Sequence, residues 1–111
     1  MTDQQATAAF VISAKYVLDP TDTAAFKDLA ARMAQAARRR SGCSFLNAAQ
    51  DVLDPNIFHL TEGWTGQSEL AEHFNSDEFQ TILKEALGLR IRERSGTIYL
   101  VSGTQPLEMP S

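Results

Sequence analysis

Three features of the chain predict an α+β, ferredoxin-like fold. Four short segments are rich in β-branched and aromatic residues, two longer ones carry apolar residues at helical spacing, and their order is β-α-β-β-α-β. In that arrangement the strands form one antiparallel sheet and both helices cover the same face of it. The 111 residues suffice for one domain with a modest core and not for two. Residues 1–7 read as a loose N-terminus, residues 8–104 as the folded domain, and residues 105–111, with two prolines, as an irregular tail.

Ala8 to Leu18, AAFVISAKYVL, is apolar on both faces, as a central strand covered on both sides would be. Asp19-Pro20-Thr21-Asp22 stops it and offers a helix N-cap in Thr21 or Asp22. From Thr23 to Arg40, Phe26, Leu29, Ala30, Met33 and Ala37 recur at helical spacing, a narrow alanine-rich seam suited to close packing on a sheet. Arg38-Arg39-Arg40 complements the helix dipole, and Ser41-Gly42 is a C-terminal glycine signal. A solvated helix end is the plain reading of that basic triplet; an anion site is the sharper one.

Cys43 to Val52 and Ile57 to Thr65 read as a hairpin turned at Asp54-Pro55-Asn56. Between Gly66 and Leu89, Leu70, Phe74, Phe79, Ile82, Leu83, Ala86 and Leu87 mark a second helical region. Asn75-Ser76-Asp77 interrupts it with residues that prefer caps, which predicts a bend or a restart. Thr97 to Ser102, TIYLVS, makes the fourth strand.

A sheet with helices on one side leaves its other face open to water, yet the first strand is apolar both ways through Phe10, Val11, Ile12 and Val17. A second subunit covering the exposed face resolves the conflict, so the pattern predicts a homodimer joined through sheet faces. The composition, 43% hydrophobic and 22% charged, is ordinary for a soluble globular protein. A net charge of −4 argues against a nucleic-acid partner, whose phosphates need a basic surface. Cys43, the single cysteine, excludes an intramolecular disulfide and reads as a small buried hydrophobe. The segment MTDQQATAAF has neither a basic n-region nor an apolar h-region, and no apolar run approaches the roughly 20 residues that span a bilayer. These features predict a cytoplasmic protein with no membrane partner.

The chain contains no glycine-rich dinucleotide turn, P-loop, HExxH, nucleophile elbow or CxxC. Two histidines without clustered carboxylates argue against a metal site. What remains for chemistry lies around NIFHLTEGW, where one strand face collects Phe58, Leu60, Glu62 and Trp64. A carboxylate among three large apolar groups needs a partner, a proton or a water-filled pocket. His73, three residues after Leu70 and next to Phe74, falls at the edge of the helical apolar face and so approaches the Glu62 and Trp64 side of the strand. Plainer readings stand beside this one. Trp64 is then core packing, Glu62 a structural ion pair with Arg90, Arg92 or Arg94, and His73 a hydrogen-bonded structural residue. His59, on the opposite strand face, belongs near the dimer surface.

The stretch GCSFLNAAQDVLDPNIFHLTEGWTGQSELAEHFNSDEFQTIL resembles the antibiotic biosynthesis monooxygenase family. Members carry a glycine after the first helix, an E-x-W strand end and a helix with H-x-x-S-x-x-F; here these positions are Gly42, Glu62, Trp64, His73, Ser76 and Phe79. The resemblance implies a dimeric α/β-barrel of two ferredoxin-like subunits, with a pocket between sheet and helices in each. For some members it also implies oxygenation of quinols or polyketide aromatics without metal or prosthetic group. The members resembling this chain that oxidise polyketides have an Asn four positions before the Trp and a Tyr six after it, where this sequence has Leu60 and Leu70. Haem-degrading relatives need a later histidine, where Leu83 stands, and an Asn on the first strand, which AAFVISAKYVL lacks. The closer likeness is to the quinol-monooxygenase-like branch, which keeps Glu, Trp and His.

Oxygenation without a cofactor requires the substrate itself to reduce dioxygen, and a phenolate or enolate does so far better than its conjugate acid. The expected roles follow from that need. His73 removes the proton, Glu62 orients its ring and stabilises imidazolium, and Trp64 forms a flat wall against the ring of a quinol or polycyclic phenol. Leu60, Leu70 and Phe74 complete the substrate-binding set, and no cofactor is required. A non-oxidative isomerase or a ligand-binding protein on the same scaffold is the competing reading.

Overall fold

The computed structural model describes residues 7–110. Its four strands, β1 (Phe10–Leu18), β2 (Cys43–Gln50), β3 (Ile57–Trp64) and β4 (Ile91–Leu100), form one antiparallel sheet in the order β2-β3-β1-β4. Helix α1 (Thr23–Arg38) follows β1, while α2 (Gln67–Phe74) and α3 (Asp77–Leu87) lie between β3 and β4. This is the predicted ferredoxin-like topology, with the second helical region broken into two. Most of the expectation for residues 1–7 concerns residues outside those described. Residues 101–110 form neither helix nor strand. No helix among the described residues is long and apolar enough to cross a membrane.

Register decides which side chains meet the helices. Direct partners in an antiparallel sheet share a face. Three rows therefore look toward the helices: Leu46, Glu62, Ile12 and Ile98; Ala48, Leu60, Ala14 and Gly96; and Gln50, Phe58, Tyr16 and Arg94. Helix α1 lies over β2 and against α3 through its small residues. One core cluster joins Leu18, Phe26, Ala30 and Phe58, and a second joins Ala34, Ala37, Leu46 and Trp64. Alanine at three of those helical positions brings the backbone of α1 close to the sheet, which is what the seam predicts. The opposite sheet face carries Val11, Val17, Phe45 and Ile57 among polar neighbours, none of them covered by a helix.

Three local expectations need correction. Strand β4 begins at Ile91, six residues before the predicted start, because Arg92, Glu93 and Arg94 look like loop residues by composition, while Ile91, Glu93 and Arg94 pair with β1 around a register shift at Arg92. Asp22 occupies the N-cap position of α1 but makes no side-chain cap; its carboxylate accepts instead from the backbone N–H of Arg90 at 2.8 Å. The capping work nearby falls to Asp19, which accepts from the backbone N–H of Thr21 at 3.0 Å at the start of a short 3-10 turn, Pro20–Asp22. Gly42 is not a left-handed helix cap either, since no described glycine has a positive φ. It is small because α2 passes over it: a Cβ at Gly42 would sit 2.3 Å from Cβ of Glu69.

Candidate functional site

The break between α2 and α3 is built by Ser76. Its hydroxyl donates to the carbonyl of His73 at 2.7 Å and accepts from the backbone N–H of Phe79 at 3.2 Å, so one side chain ends α2 and caps α3. The two rings thus positioned, His73 and Phe79, meet edge to face with centroids 5.0 Å apart. On its other side His73 stacks on Trp64, centroids 4.7 Å apart and planes inclined by 26°. Trp64 Nε1 in turn donates to Glu62 Oε1 at 2.7 Å. The sequence signals Glu62, Trp64, His73, Ser76 and Phe79 are therefore one continuous chain of contacts.

The order within that chain differs from expectation. No hydrogen bond or ion pair among the described residues joins Glu62 to His73, because Glu62 is held by the indole and His73 lies against the indole face. Trp64 is wholly buried, 0% exposed, among Ala34, Ala37 and Leu46. An indole with no exposed face offers no wall to a substrate, so in this chain it is core. Its burial stabilises the fold by on the order of 4–6 kcal/mol. Leu70 packs against the same cluster. Phe74 is 38% exposed and leans on Phe79 at 5.0 Å, and it does not line the apolar crevice between α1, α3 and the sheet.

Burial sets the protonation of both polar groups. His73 is 1% exposed and its Nδ1 has no hydrogen-bond partner. Loss of hydration, aided by the positive charge of Arg40, lowers its pKa to about 4, so the ring is neutral at physiological pH. Glu62 moves the other way: burial raises its carboxyl above the ordinary range, and the indole hydrogen bond opposes this only partly. No second hydrogen bond among the described residues reaches that carboxylate. The carboxylate is therefore the better proton acceptor of the two.

An apolar crevice of about 80 Å³ lies between α1, α3 and the sheet, one step along the sheet face from Glu62. Leu60, Phe26, Met33, Phe79 and Leu83 are among the residues that line it. Two polar residues reach it, Tyr16 and Arg94. Sequence reasoning missed Tyr16 because it sat inside an apolar strand, and left Arg94 among possible partners of Glu62. Burial raises the Tyr16 phenol, with the charge of Arg94 acting against the shift and that of Glu62 with it. The other strand arginines are engaged elsewhere: Arg90 with Thr21 at 3.1 Å and Arg92 with Asp19 at 3.0 Å.

The remaining polar residues have local tasks. Arg38 Nε donates to the carbonyl of Leu46 at 2.9 Å and Arg39 pairs with Glu78, so two members of the basic triplet fix the helix end. His59 Nε2 lies 2.9 Å from Asp51 Oδ1 on the uncovered sheet face. Cys43 is half-buried beside the Trp64 cluster, and burial raises its thiol.

The antibiotic biosynthesis monooxygenase family matches residues 9–85, and the chain belongs to that family. A protein from Deinococcus radiodurans, provisionally named an antibiotic biosynthesis monooxygenase, is similar in structure at a TM-score of 0.82 and 18% identity, covering 90% of this chain and 99% of its own. A conserved protein from Methanosarcina mazei Go1 is similar at a TM-score of 0.76 and 24% identity, covering 86% and 94%. A third, from Nitrosomonas europaea and given the same provisional name as the first, is similar at 0.76 and 22%, covering 81% and 95%. These three likenesses bear on the fold alone. No protein of curated function matches the sequence.

Proposed function

We propose that the chain is a monooxygenase that uses no cofactor, oxidises a quinol or related phenol with dioxygen, and works as a homodimer in the cytoplasm. The observation that carries this reading is a half-buried carboxylate, Glu62, beside an apolar crevice within a family of monooxygenases. Glu62 takes the phenolic proton, and its raised pKa makes it a stronger base than an ordinary carboxylate. The phenolate then reduces dioxygen. One oxygen atom enters the ring, the other leaves as water, and a quinol supplies all four electrons in becoming a hydroxyquinone. His73, neutral and enclosed, acts through Trp64: it holds the indole whose N–H fixes Glu62. Of the two residues expected from the sequence to act as base and orienter, Glu62 is the base in this reading and His73 a positioning residue.

Oxygen uptake with a panel of hydroquinones tests it, with Glu62→Gln as the control. An amide oxygen still accepts the indole hydrogen, so the variant should fold while turnover falls by roughly 10²-fold or more. Turnover in the parent should rise with pH through a carboxylate ionisation displaced upward, and the variant should lack that limb. No uptake with any hydroquinone, alongside saturable binding of one, would favour the ligand-binding alternative.

A further inference from the structure

The crevice is small and its polar residues sit together. Ligand sites for whole drug-sized molecules enclose roughly 300–1,000 Å³, and an apolar cavity of about 150 Å³ suffices for benzene. At about 80 Å³ this crevice admits part of one ring, with the ring's substituted edge left at the opening. The enclosed volume is smaller than two fused rings occupy.

Tyr16 and Arg94, the two polar residues of the crevice lining, are direct partners across β1 and β4 on the helix-facing side of the sheet, and Arg94 is the solvent-exposed one of the pair. Arg94 is exposed and, among the described residues, has no hydrogen bond or ion pair, unlike Arg90 and Arg92 on the same strand. A guanidinium presents several N–H donors in a planar fork matched to an anionic oxygen. The Tyr16 ring packs against Phe26 with centroids 5.1 Å apart, which fixes its place in the wall. Its O–H is a donor as well. Apolar walls behind and two donors in front define a receptor for a flat ring bearing negative oxygen at one edge.

We propose that Tyr16 and Arg94 are specificity-determining residues that select a single-ring aromatic carrying an anionic oxygen, a phenolate or a carboxylate, seated on the Arg94 guanidinium with only the inner edge of its ring in the crevice. This rests on the reading of the crevice as the substrate site, and it narrows the substrate to one ring. Polycyclic phenols are thereby set aside.

Calorimetric titration with redox-inert ligands tests the selection without relying on turnover. Benzoate represents the carboxylate source and 4-nitrophenolate, at mildly alkaline pH, the phenolate source; benzyl alcohol is the neutral control and anthracene-2-carboxylate the oversized one. At least one of the two anions should bind about tenfold or more tightly than benzyl alcohol, and anthracene-2-carboxylate should bind far more weakly than benzoate. The tighter anion identifies the oxygen the site prefers. Arg94→Gln should remove the preference for the anion while leaving benzyl alcohol unchanged; Arg94→Lys should retain part of it, and Tyr16→Phe should lose a smaller factor. Unchanged affinity for both anions in Arg94→Gln, equal binding of the oversized ligand, or no binding of either anion to the parent chain at millimolar concentration would overturn the proposal. Intact anion selection with no oxygen uptake on any hydroquinone would instead remove the oxygenase reading and leave the anchor standing.

Discussion

The indole N–H of Trp64 donates to Glu62 at 2.7 Å from a ring with no exposed surface. A core residue therefore controls the proton affinity of a carboxylate one step along the sheet from the crevice. The indole bond pulls the Glu62 pKa down while burial pushes it up, and burial is the stronger. In Trp64→Phe the opposing pull vanishes, so the Glu62 carboxyl should titrate higher still. The variant should also lose about 1–3 kcal/mol of stability through packing and the missing bond. Carboxyl-detected NMR titration and chemical denaturation on one sample measure both; a Glu62 titration that does not move would show that the bond is absent in solution.

His73 predicts a pH dependence of stability with a definite sign. Its folded pKa, about 4, lies below the ordinary value of 6.5. Above 6.5 both folded and unfolded chains hold it neutral, and its contribution is complete. As pH falls from 6.5 toward 4 the unfolded chain binds a proton that the folded chain refuses, and stability drops by up to about 3 kcal/mol. His73→Phe keeps a ring against Trp64 and removes the titration. Denaturation midpoints across that window should slope for the parent and flatten for the variant; parallel curves would contradict the burial of His73.

Gly42→Ala should be costly although the backbone there is ordinary. The new Cβ meets Glu69 Cβ at 2.3 Å, and that atom is fixed to helix α2, so the helix must shift. A loss of about 1–3 kcal/mol is expected. Replacing Glu69 by Gly in the same chain should recover part of it, beyond what the two single changes add to, in a double-mutant cycle read by thermal melting. Strict additivity would mean that the two residues do not touch.

The uncovered sheet face carries Val11, Val17, Phe45 and Ile57. Sedimentation at micromolar concentration should report a dimer joined there with about 2,000 Å² or more of buried surface. Phe45→Lys should yield monomers that keep the fold by circular dichroism. A parent chain that sediments as a monomer removes the argument.

Alternation and capping chemistry made most of the fold legible. β1, β2, β3 and the helix break at Ser76 lie where those signals put them. β4 was half hidden because an edge strand with arginine and glutamate satisfies its backbone through a neighbour that composition does not reveal. In the site, Glu62, Trp64 and His73 were recognisable as a group, since strand and helix periodicity bring them to one side. Which of them touches which was not. A stacked ring and a donated indole hydrogen depend on side-chain directions fixed only by packing, whereas the pairing of Tyr16 with Arg94 follows from the hidden first half of β4.

The sheet order has a consequence for how the chain acquires its structure. β1 is central, yet both its neighbours come much later: β3 pairs Phe10 with Trp64, and β4 pairs it with Leu100. During synthesis, the earliest strand emerges with neither edge paired and must wait for the last one. Such long-range closure slows folding and leaves sticky backbone exposed meanwhile. Lys15, in the middle of β1 and pointing away from the helices, sits where a charge discourages that waiting strand from pairing with another copy of itself.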